Sequence, residues 1–305
     1  PPMRRNPQRR QRGQRPPPSL PRRPDRRSRR RRTPPANSRP AVATRGTTET
    51  ITADHLALAQ ALADAAGAIL RRYFRQPLAV DDKSDLSPVT IADREAEAAM
   101  RQLIADAFPQ HGILGEELGA TRADAEWVWV LDPIDGTKSF ICGIPLFGTL
   151  IALAHRGTPV LGVIDQPVLR ERWVGRAGAA TVLNGAPVHA RPCPDLAAAT
   201  LFATAPEMFE GAESAGFARL KHGVKRTRYG ADCYAYAQLA GGFIDLVVER
   251  DLKPYDFCAL APVIAGAGGS ITDWQGKPLT LQSDGRVIAC GDPRLAAPVR
   301  AALQG

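Results

Sequence analysis

Two aspartates, Asp132 and Asp135, sit in the stretch Asp132-Pro-Ile-Asp-Gly-Thr-Lys-Ser-Phe140. An apolar run, Trp127 to Leu131, leads into it, and its aromatic and β-branched content reads as a buried strand. Pro133 blocks a helix across this point and Gly136 permits a tight turn. Two carboxylates held that close repel unless something neutralises them. A divalent cation does so: Mg²⁺ takes oxygen ligands, keeps several waters and pairs with substrate phosphate. The Gly136-Thr137 step then offers backbone N–H groups to a phosphate. A solvated turn uses the same residue types, so this motif alone leaves both readings open.

The elements around it must decide. Thr52 to Phe74 has helical spacing, with Leu56, Ala59, Leu62, Ala66, Ile69, Leu70 and Tyr73 on one face and Thr50 or Thr52 as cap. After a polar loop, Asp81 to Asp85, a second helix is expected from Ile91 to Phe108, with Ala96, Ala99, Met100, Leu103, Ile104 and Ala107 inward. Asp93 falls in its first turn, where a carboxylate either complements the helix dipole or faces a site. Gly112-Ile-Leu-Gly-Glu116-Glu117 reads as a short strand ending in paired acids, either a ligand loop or an exposed turn. The span from Glu116 to Asp132 permits a hairpin-like return that sets Glu116 beside the aspartate corner.

The chain has 305 residues and a formal charge of +9. That charge is uneven. Residues 1–46 hold sixteen Arg, eleven Pro and one acid, Asp25, a balance of +15, whereas the rest carries 24 bases against 30 acids. The leading segment cannot bury enough surface to offset its ordering entropy and is expected to be disordered. Three readings of it compete: a polyanion-binding arm, an Arg-rich targeting peptide, or an upstream extension without a role. No aromatic interleaves its arginines, so base stacking lacks a platform. The five cysteines (Cys142, Cys193, Cys233, Cys258 and Cys290) show no C-x-x-C spacing, which disfavours a disulfide framework or zinc site and points to a reducing, cytoplasmic compartment. No apolar run is long enough to span a membrane.

Gly115-Glu116-Glu117 and Trp127-Val-Trp-Val-Leu-Asp132-Pro-Ile-Asp135-Gly-Thr137, with the distant Pro254-Tyr-Asp256 and Ala265-Gly-Ala-Gly-Gly269, resemble the inositol monophosphatase family of Mg²⁺-dependent phosphatases. The resemblance covers residues 50–303. The fold it implies is α/β (α+β), a layered α-β-α-β-α sandwich of the inositol monophosphatase/fructose-1,6-bisphosphatase type. The expected layout is a disordered tail, 1–48, and a phosphatase domain, 49–305, with halves at 49–190 and 191–305. Lys138-Ser-Phe140, Gly143-Ile-Pro-Leu-Phe-Gly148, Tyr229-Gly-Ala-Asp232 and Lys253-Pro-Tyr-Asp256 resemble the histidinol-phosphatase subgroup, whose members release phosphate from L-histidinol phosphate. By this resemblance Glu116, Asp132, Asp135, Asp256 and the Ile134 carbonyl ligate two or three Mg²⁺ ions. Asp93 and Thr137 orient and deprotonate the attacking water, Asp93 accepting from the Thr137 hydroxyl. Gly136 and Thr137 touch the phosphate through their N–H groups, and hydrolysis is direct and in-line. Lys83 closes over the substrate on a mobile loop. Arg228 contacts substrate, with Arg226 as its rival, and Asp232 and Glu249 are acids for the amine or imidazole of histidinol. The partners implied are a small phosphorylated substrate and a second copy in a homodimer. Inositol monophosphate or a nucleotide 3′-phosphate is the alternative substrate, and a tail-led polyanion binder the alternative from another class.

The remaining residues are expected to be structural. His55, His111, His155, His189 and His222 lack metal spacing and read as surface or loop residues. The tryptophans read as core or sheet, the cysteines as small buried hydrophobes. Strands are expected at Leu146–Ala154, Val160–Ile164, Glu171–Val174 and Ala179–Leu183, with turns at Gly157, Gly175 and Asn184-Gly185. Later elements are a strand at Thr200–Ala203, a helix at Asp232–Ala240, a strand at Phe243–Val248, one helix from Tyr255, and strands near Ser270 and Val287.

Overall fold

The structure, a computed structural model, describes residues 51–77, 79–82 and 88–304. Lys83, Thr50 and the tail at 1–48 lie outside the described residues. Helix α1 (Ala53–Tyr73) begins where Thr52 closes a capping box with His55. Its buried stripe is Leu58, Ala59, Leu62, Ala63, Ala66 and Leu70. A hairpin of β1 (Val80–Asp82) and β2 (Pro88–Thr90) leads to α2 (Ile91–Ala107), capped by Thr90. The inward face of α2 differs from expectation. It holds Ala92, Ala96, Met100 and Ile104, and also two acids, Asp93 and Glu97. Ala107, expected inward, is exposed.

Next come β3 (Gly112–Gly115), β4 (Gly119–Thr121), β5 (Trp127–Asp135), the short α3 (Thr137–Ile141), β6 (Gly148–His155), β7 (Thr158–Gln166), β8 (Glu171–Arg176), β9 (Val182–Leu183) and β10 (Ala186–Pro187). They form an eight-stranded sheet in the order β10-β9-β8-β7-β6-β5-β3-β4. Asn184-Gly185 makes a two-residue hairpin turn with both φ angles positive, as read from the sequence. Gly175 is not a turn: it lies inside β8, opposite Gly162 of β7.

The second sheet holds β11 (Thr200–Ala203), β12 (Arg226–Tyr229), β13 (Leu246–Glu249), β14 (Ser270–Thr272) and β15 (Val287–Cys290), in the order β12-β11-β13-β15-β14. Between its strands run α4 (Gly211–Gly223), α5 (Asp232–Ala240), α6 (Pro254–Phe257) and α7 (Leu260–Gly266), and α8 (Ala296–Gln304) follows. The single helix expected from Tyr255 is thus split in two. Helices α4 and α8 were not legible; α4 is weakly patterned, burying only Gly216, Phe217 and Leu220.

Three apolar clusters define the layers. Helices α1 and α2 bury Trp129, Leu131, Ile151, Leu153 and Val163 on one face of the large sheet. Helices α5, α6 and α7 pack between the sheets, against Val128, Val130, Leu150 and Ile164 on one side and Val247, Val287 and Ala289 on the other. Phe217, Leu220, Val299 and Leu303 of α4 and α8 cover Leu201, Leu246, Val248 and Ile288. This is the α-β-α-β-α sandwich. Strands buried on both faces explain why β5 and β13 read as continuous apolar runs rather than alternating ones.

Candidate metal centre and active site

Strand β5 does not stop at Leu131. It continues to Asp135 through an irregularity: Asp132 pairs with Leu150 and Asp135 with Gly148, so Pro133 and Ile134 oppose Thr149 alone. A proline lacks the N–H a ladder needs, and a bulge is where a sheet tolerates it. The Thr149 hydroxyl donates to the Pro133 carbonyl at 2.9 Å and secures the bulge. The extra residue turns Asp132 and Asp135 toward one point. Gly136, at φ +91°, then turns the chain into α3, and a side chain there would press on Asp232 and on the Leu146 carbonyl.

Glu116 arrives differently from the expected hairpin return. Strand β3 runs parallel to β5, with Gly115 opposite Leu131, while β4 forms the hairpin on the far side. The Glu116 N–H donates to the Leu131 carbonyl at 3.1 Å. The Glu116 side chain is thereby placed against Asp132, close enough to hydrogen-bond with it. Asp256 comes from the helical layer between the sheets, on α6. Its carboxylate accepts the Lys253 N–H at 2.6 Å, which fixes it on the helix's first turn.

Carboxylate oxygens of Asp132, Asp135 and Asp256 lie within 4.8 Å of one another. Asp132 Oδ1 is buried with no hydrogen-bond donor among the described residues, and Asp93 Oδ1 is in the same condition. Burial, then the neighbouring Glu116, Asp135 and Asp256, raise the Asp132 pKa far above the carboxylate range. Burial, then Asp232 and Asp256, do the same to Asp135. Burial lifts Asp256 to about 7, with Glu116 and Glu249 adding to it. Hard oxygen donors, converging charge and orphaned acceptors are what a divalent cation resolves. The residues fit such an ion; the Ile134 carbonyl, expected as a further ligand, accepts the Thr137 hydroxyl at the bulge.

Asp93 is the third residue of the α2 capping box. Its Oδ2 accepts the Thr90 N–H at 2.8 Å and the Thr90 hydroxyl at 2.7 Å. Burial raises its pKa, and Glu116 contributes further. The hydrogen bond expected from Thr137 to Asp93 is not the one present: the Thr137 hydroxyl donates to the Ile134 carbonyl at 3.0 Å. A hydroxyl next to a carbonyl in a tight turn finds it locally, before any distant acid.

A cavity of about 130 Å³ opens beside the acids, lined among others by Asp135, Asp256, Thr204, Asp232, Tyr236 and Glu249. The turn that builds it is strained: Gly230, Ala231 and Asp232 all have positive φ. This places the Cys233 N–H on Asp135. Glu249 accepts from the Thr204 N–H at 2.7 Å, the Thr204 hydroxyl at 2.6 Å and Tyr236 Oη at 2.8 Å. Thr204 also reaches Asp232 at 3.4 Å. Burial lifts Asp232 to about 6 and raises Glu249 as well. Thr204 and Tyr236 carry no sequence signal of their own; a threonine after a strand and a tyrosine inside a helix are commonplace. Arg226 and Arg228 share the exposed face of edge strand β12, and neither lines this cavity.

Two groups read as peripheral behave otherwise. His55 and His111 are buried, stacked among Phe108, Trp127 and Trp129, and the Trp129 indole N–H donates to His111 Nδ1 at 3.2 Å. Their ring faces suit an apolar cluster once neutral, which spacing alone does not reveal. Four of the cysteines are buried, whereas Cys142 is exposed.

Comparison with known proteins agrees with this geometry. The sequence profile of the Inositol monophosphatase family matches residues 52–304. The chain is 53% identical over 235 residues to the Bifunctional phosphatase IMPL2, chloroplastic, of Arabidopsis thaliana, covering 76% of this chain and 68% of that one. It is 36% identical over 236 residues to the Histidinol-phosphatase of Chlorobaculum parvum, covering 77% of this chain and 91% of that one. Among solved structures, an inositol monophosphatase from Zymomonas mobilis superposes with a TM-score of 0.77 at 49% identity, over 83% of this chain and 98% of the other. Among the described residues no helix is long and apolar enough to cross a membrane. The chloroplast in the Arabidopsis protein's name does not fit a simple cytoplasmic assignment. The chain belongs to the inositol monophosphatase family, whose members are metal-dependent phosphatases.

Proposed function

We propose that this phosphatase hydrolyses L-histidinol phosphate, with Mg²⁺ as its metal, two or three ions per site. The observation that carries this reading is the cavity beside the metal acids. Two further carboxylates, Asp232 and Glu249, face a volume suited to a small alcohol, and surplus negative charge there selects a cationic substrate. The Chlorobaculum relative's name supports it. When bound by Glu116, Asp132, Asp135 and Asp256, the cation supplies positive charge to the phosphate and acidifies water. The chain's own residues do the rest. Gly136 and Thr137 turn backbone N–H groups toward the phosphate. Asp93, with an oxygen free of donors, takes the proton of the attacking water, and the Thr137 hydroxyl orients it. Asp232 holds the substrate's ammonium, and Glu249, fixed by three donors, keeps the pocket acidic. Inositol monophosphate is the second reading, favoured by the likeness to the Zymomonas protein. The test is phosphate release from L-histidinol phosphate, inositol 1-phosphate and adenosine 3′,5′-bisphosphate, with Asp135→Asn as blank. Preference for histidinol phosphate, lost in the variant, supports the proposal; preference for another ester keeps the chemistry and rejects the substrate.

Two further expectations belong here. The chain acts as a homodimer, with exposed Ile141, Ile144 and Leu169 as apolar candidates for the contact. Light scattering that returns the monomer mass at micromolar concentration rejects this. The Arg-rich tail is not required for turnover, so deleting residues 1–48 leaves kcat unchanged. Salt-sensitive nucleic-acid binding lost in the same deletion would give the tail its own role.

A further inference from the structure

We propose that Glu97 and Arg101 form a clamp that holds Glu116 in place for metal binding, so that this pair sets the affinity of the centre for a divalent cation. The inference rests on reading Glu116 as a ligand. Glu97 is fully buried on the inward face of α2, one turn beyond Asp93. Its carboxylate accepts the Glu117 N–H at 2.7 Å and the Leu118 N–H at 3.1 Å, the two amides that follow Glu116. Arg101, four residues on, donates to Glu97 Oε1 at 2.7 Å. The same guanidinium reaches the Gly119 carbonyl and, at 3.3 Å, the Thr121 hydroxyl. Together the pair grips the whole turn between β3 and β4.

The chemistry of the contacts is one-sided. All three groups facing Glu97 are donors, so only a carboxylate satisfies them. A glutamine in its place must turn an NH₂ toward another N–H. The approach is also close. A Cβ on Gly115 would lie 1.9 Å from Glu97 Oε1, so the glycine before Glu116 is what lets the carboxylate reach the turn. Burying a charge of this kind is expensive, and an apolar side chain commonly serves stability as well or better. What the carboxylate supplies instead is position. On one side Glu116 is tied by its N–H to Leu131 of β5. On the other, the two amides that follow it are held by Glu97. One face of α2 thus supplies Asp93 to the reaction and Glu97 to the ligand loop. Groups that orient metal ligands typically change affinity by about 10- to 100-fold when lost.

The experiment is Mn²⁺ titration of the full, metal-free chain by electron paramagnetic resonance. Wild type, Glu97→Gln, Arg101→Gln and Glu116→Gln are compared, with melting temperature and kcat measured alongside. The expected result is Mn²⁺ affinity about 10- to 100-fold weaker in Glu97→Gln, and weaker by less in Arg101→Gln. Turnover should return when Mg²⁺ is raised, with KM for the ester little changed. Wild-type Mn²⁺ affinity in both clamp variants, with or without a lower melting temperature, overturns the proposal and leaves the pair a structural role. If Glu97→Gln does not fold, Arg101→Gln, part-exposed at the clamp's edge, decides alone. Wild-type Mn²⁺ affinity in Glu116→Gln instead removes Glu116 from the metal set, and the clamp falls with it.

Discussion

Under the proposed function, Asp232 is the residue on which substrate choice turns. Its φ is +45°, its pKa is lifted to about 6 by burial, and it lines the cavity beside Asp135 and Asp256. Above that pH it is an anion, and below it a neutral acid. Asp232→Asn keeps the shape and removes the charge. Activity on L-histidinol phosphate should fall roughly tenfold to a hundredfold in kcat/KM, about 1.4–2.8 kcal/mol of transition-state binding. Activity on inositol 1-phosphate should hardly change. The wild-type preference between the two esters should also shrink as pH is lowered through about 6. Equal losses on both substrates would show that Asp232 shapes the pocket rather than reading charge. At this scale the sequence was informative where acids are bunched. Asp132 and Asp135 stand out because two acids flanking a proline are conspicuous, and Asp256 follows from its motif. Glu97 did not stand out. A glutamate in a helix is ordinary until its burial is seen, though its place four residues after Asp93 sets both on one face.

Among the elements, the layers owe their spacing to a pair of glycines, one of which, Gly175, the sequence presents as a turn. Gly162 of β7 and Gly175 of β8 lie opposite each other and make a flat patch on the large sheet. The α6–α7 junction rests on that patch: a Cβ on Gly162 would lie 2.0 Å from the Ala259 carbonyl, and one on Gly175 2.4 Å from the Pro262 carbonyl. Both clashes are with backbone, which cannot rotate away. Gly162→Ala should therefore destabilise by about 2–3 kcal/mol, an overpacking cost. Because α6 carries Asp256, it should also weaken Mg²⁺ binding. A urea midpoint equal to wild type would mean the helices can lift off the sheet freely. The strands themselves were legible, since buried β-branched runs need no partner to be seen. Their register was not. Whether Glu116 returns by a hairpin or by parallel pairing depends on β4, whose exposed Gly-Ala-Thr has no apolar signature. The β5 bulge was equally hidden, because a proline after a strand reads as its end.

For the whole molecule, stability and metal are linked through two sets of buried titratable groups with opposite signs. His55 and His111 are held neutral: burial lowers both, His111 to about 4. The unfolded chain binds those protons first, so their share of stability is lost as pH falls from about 6.5 toward about 4. The metal acids run the other way. Burial and mutual repulsion raise Asp132 and Asp135, and Asp256 to about 7. Here the folded chain holds protons that the unfolded chain has released, so the metal-free protein loses stability as pH rises from about 4 to about 7. In the metal-free protein the two trends partly cancel. A bound divalent cation removes only the second, since it takes the place of the protons on the acids. The difference in Tm with and without Mg²⁺ therefore isolates the acids, because the histidines contribute equally to both samples. That difference should be near zero at about pH 5 and grow steadily to about pH 8. At a hundredfold excess over Kd it should reach about 2.7 kcal/mol, on the order of 5–10 °C. With Mg²⁺ saturating at neutral pH, acidification below about 6.5 should expose the histidine contribution alone. A Tm difference near zero across this range would make the cluster a solvated acidic corner rather than a metal centre, and one that is flat but non-zero would mean the carboxylates are already ionised without metal.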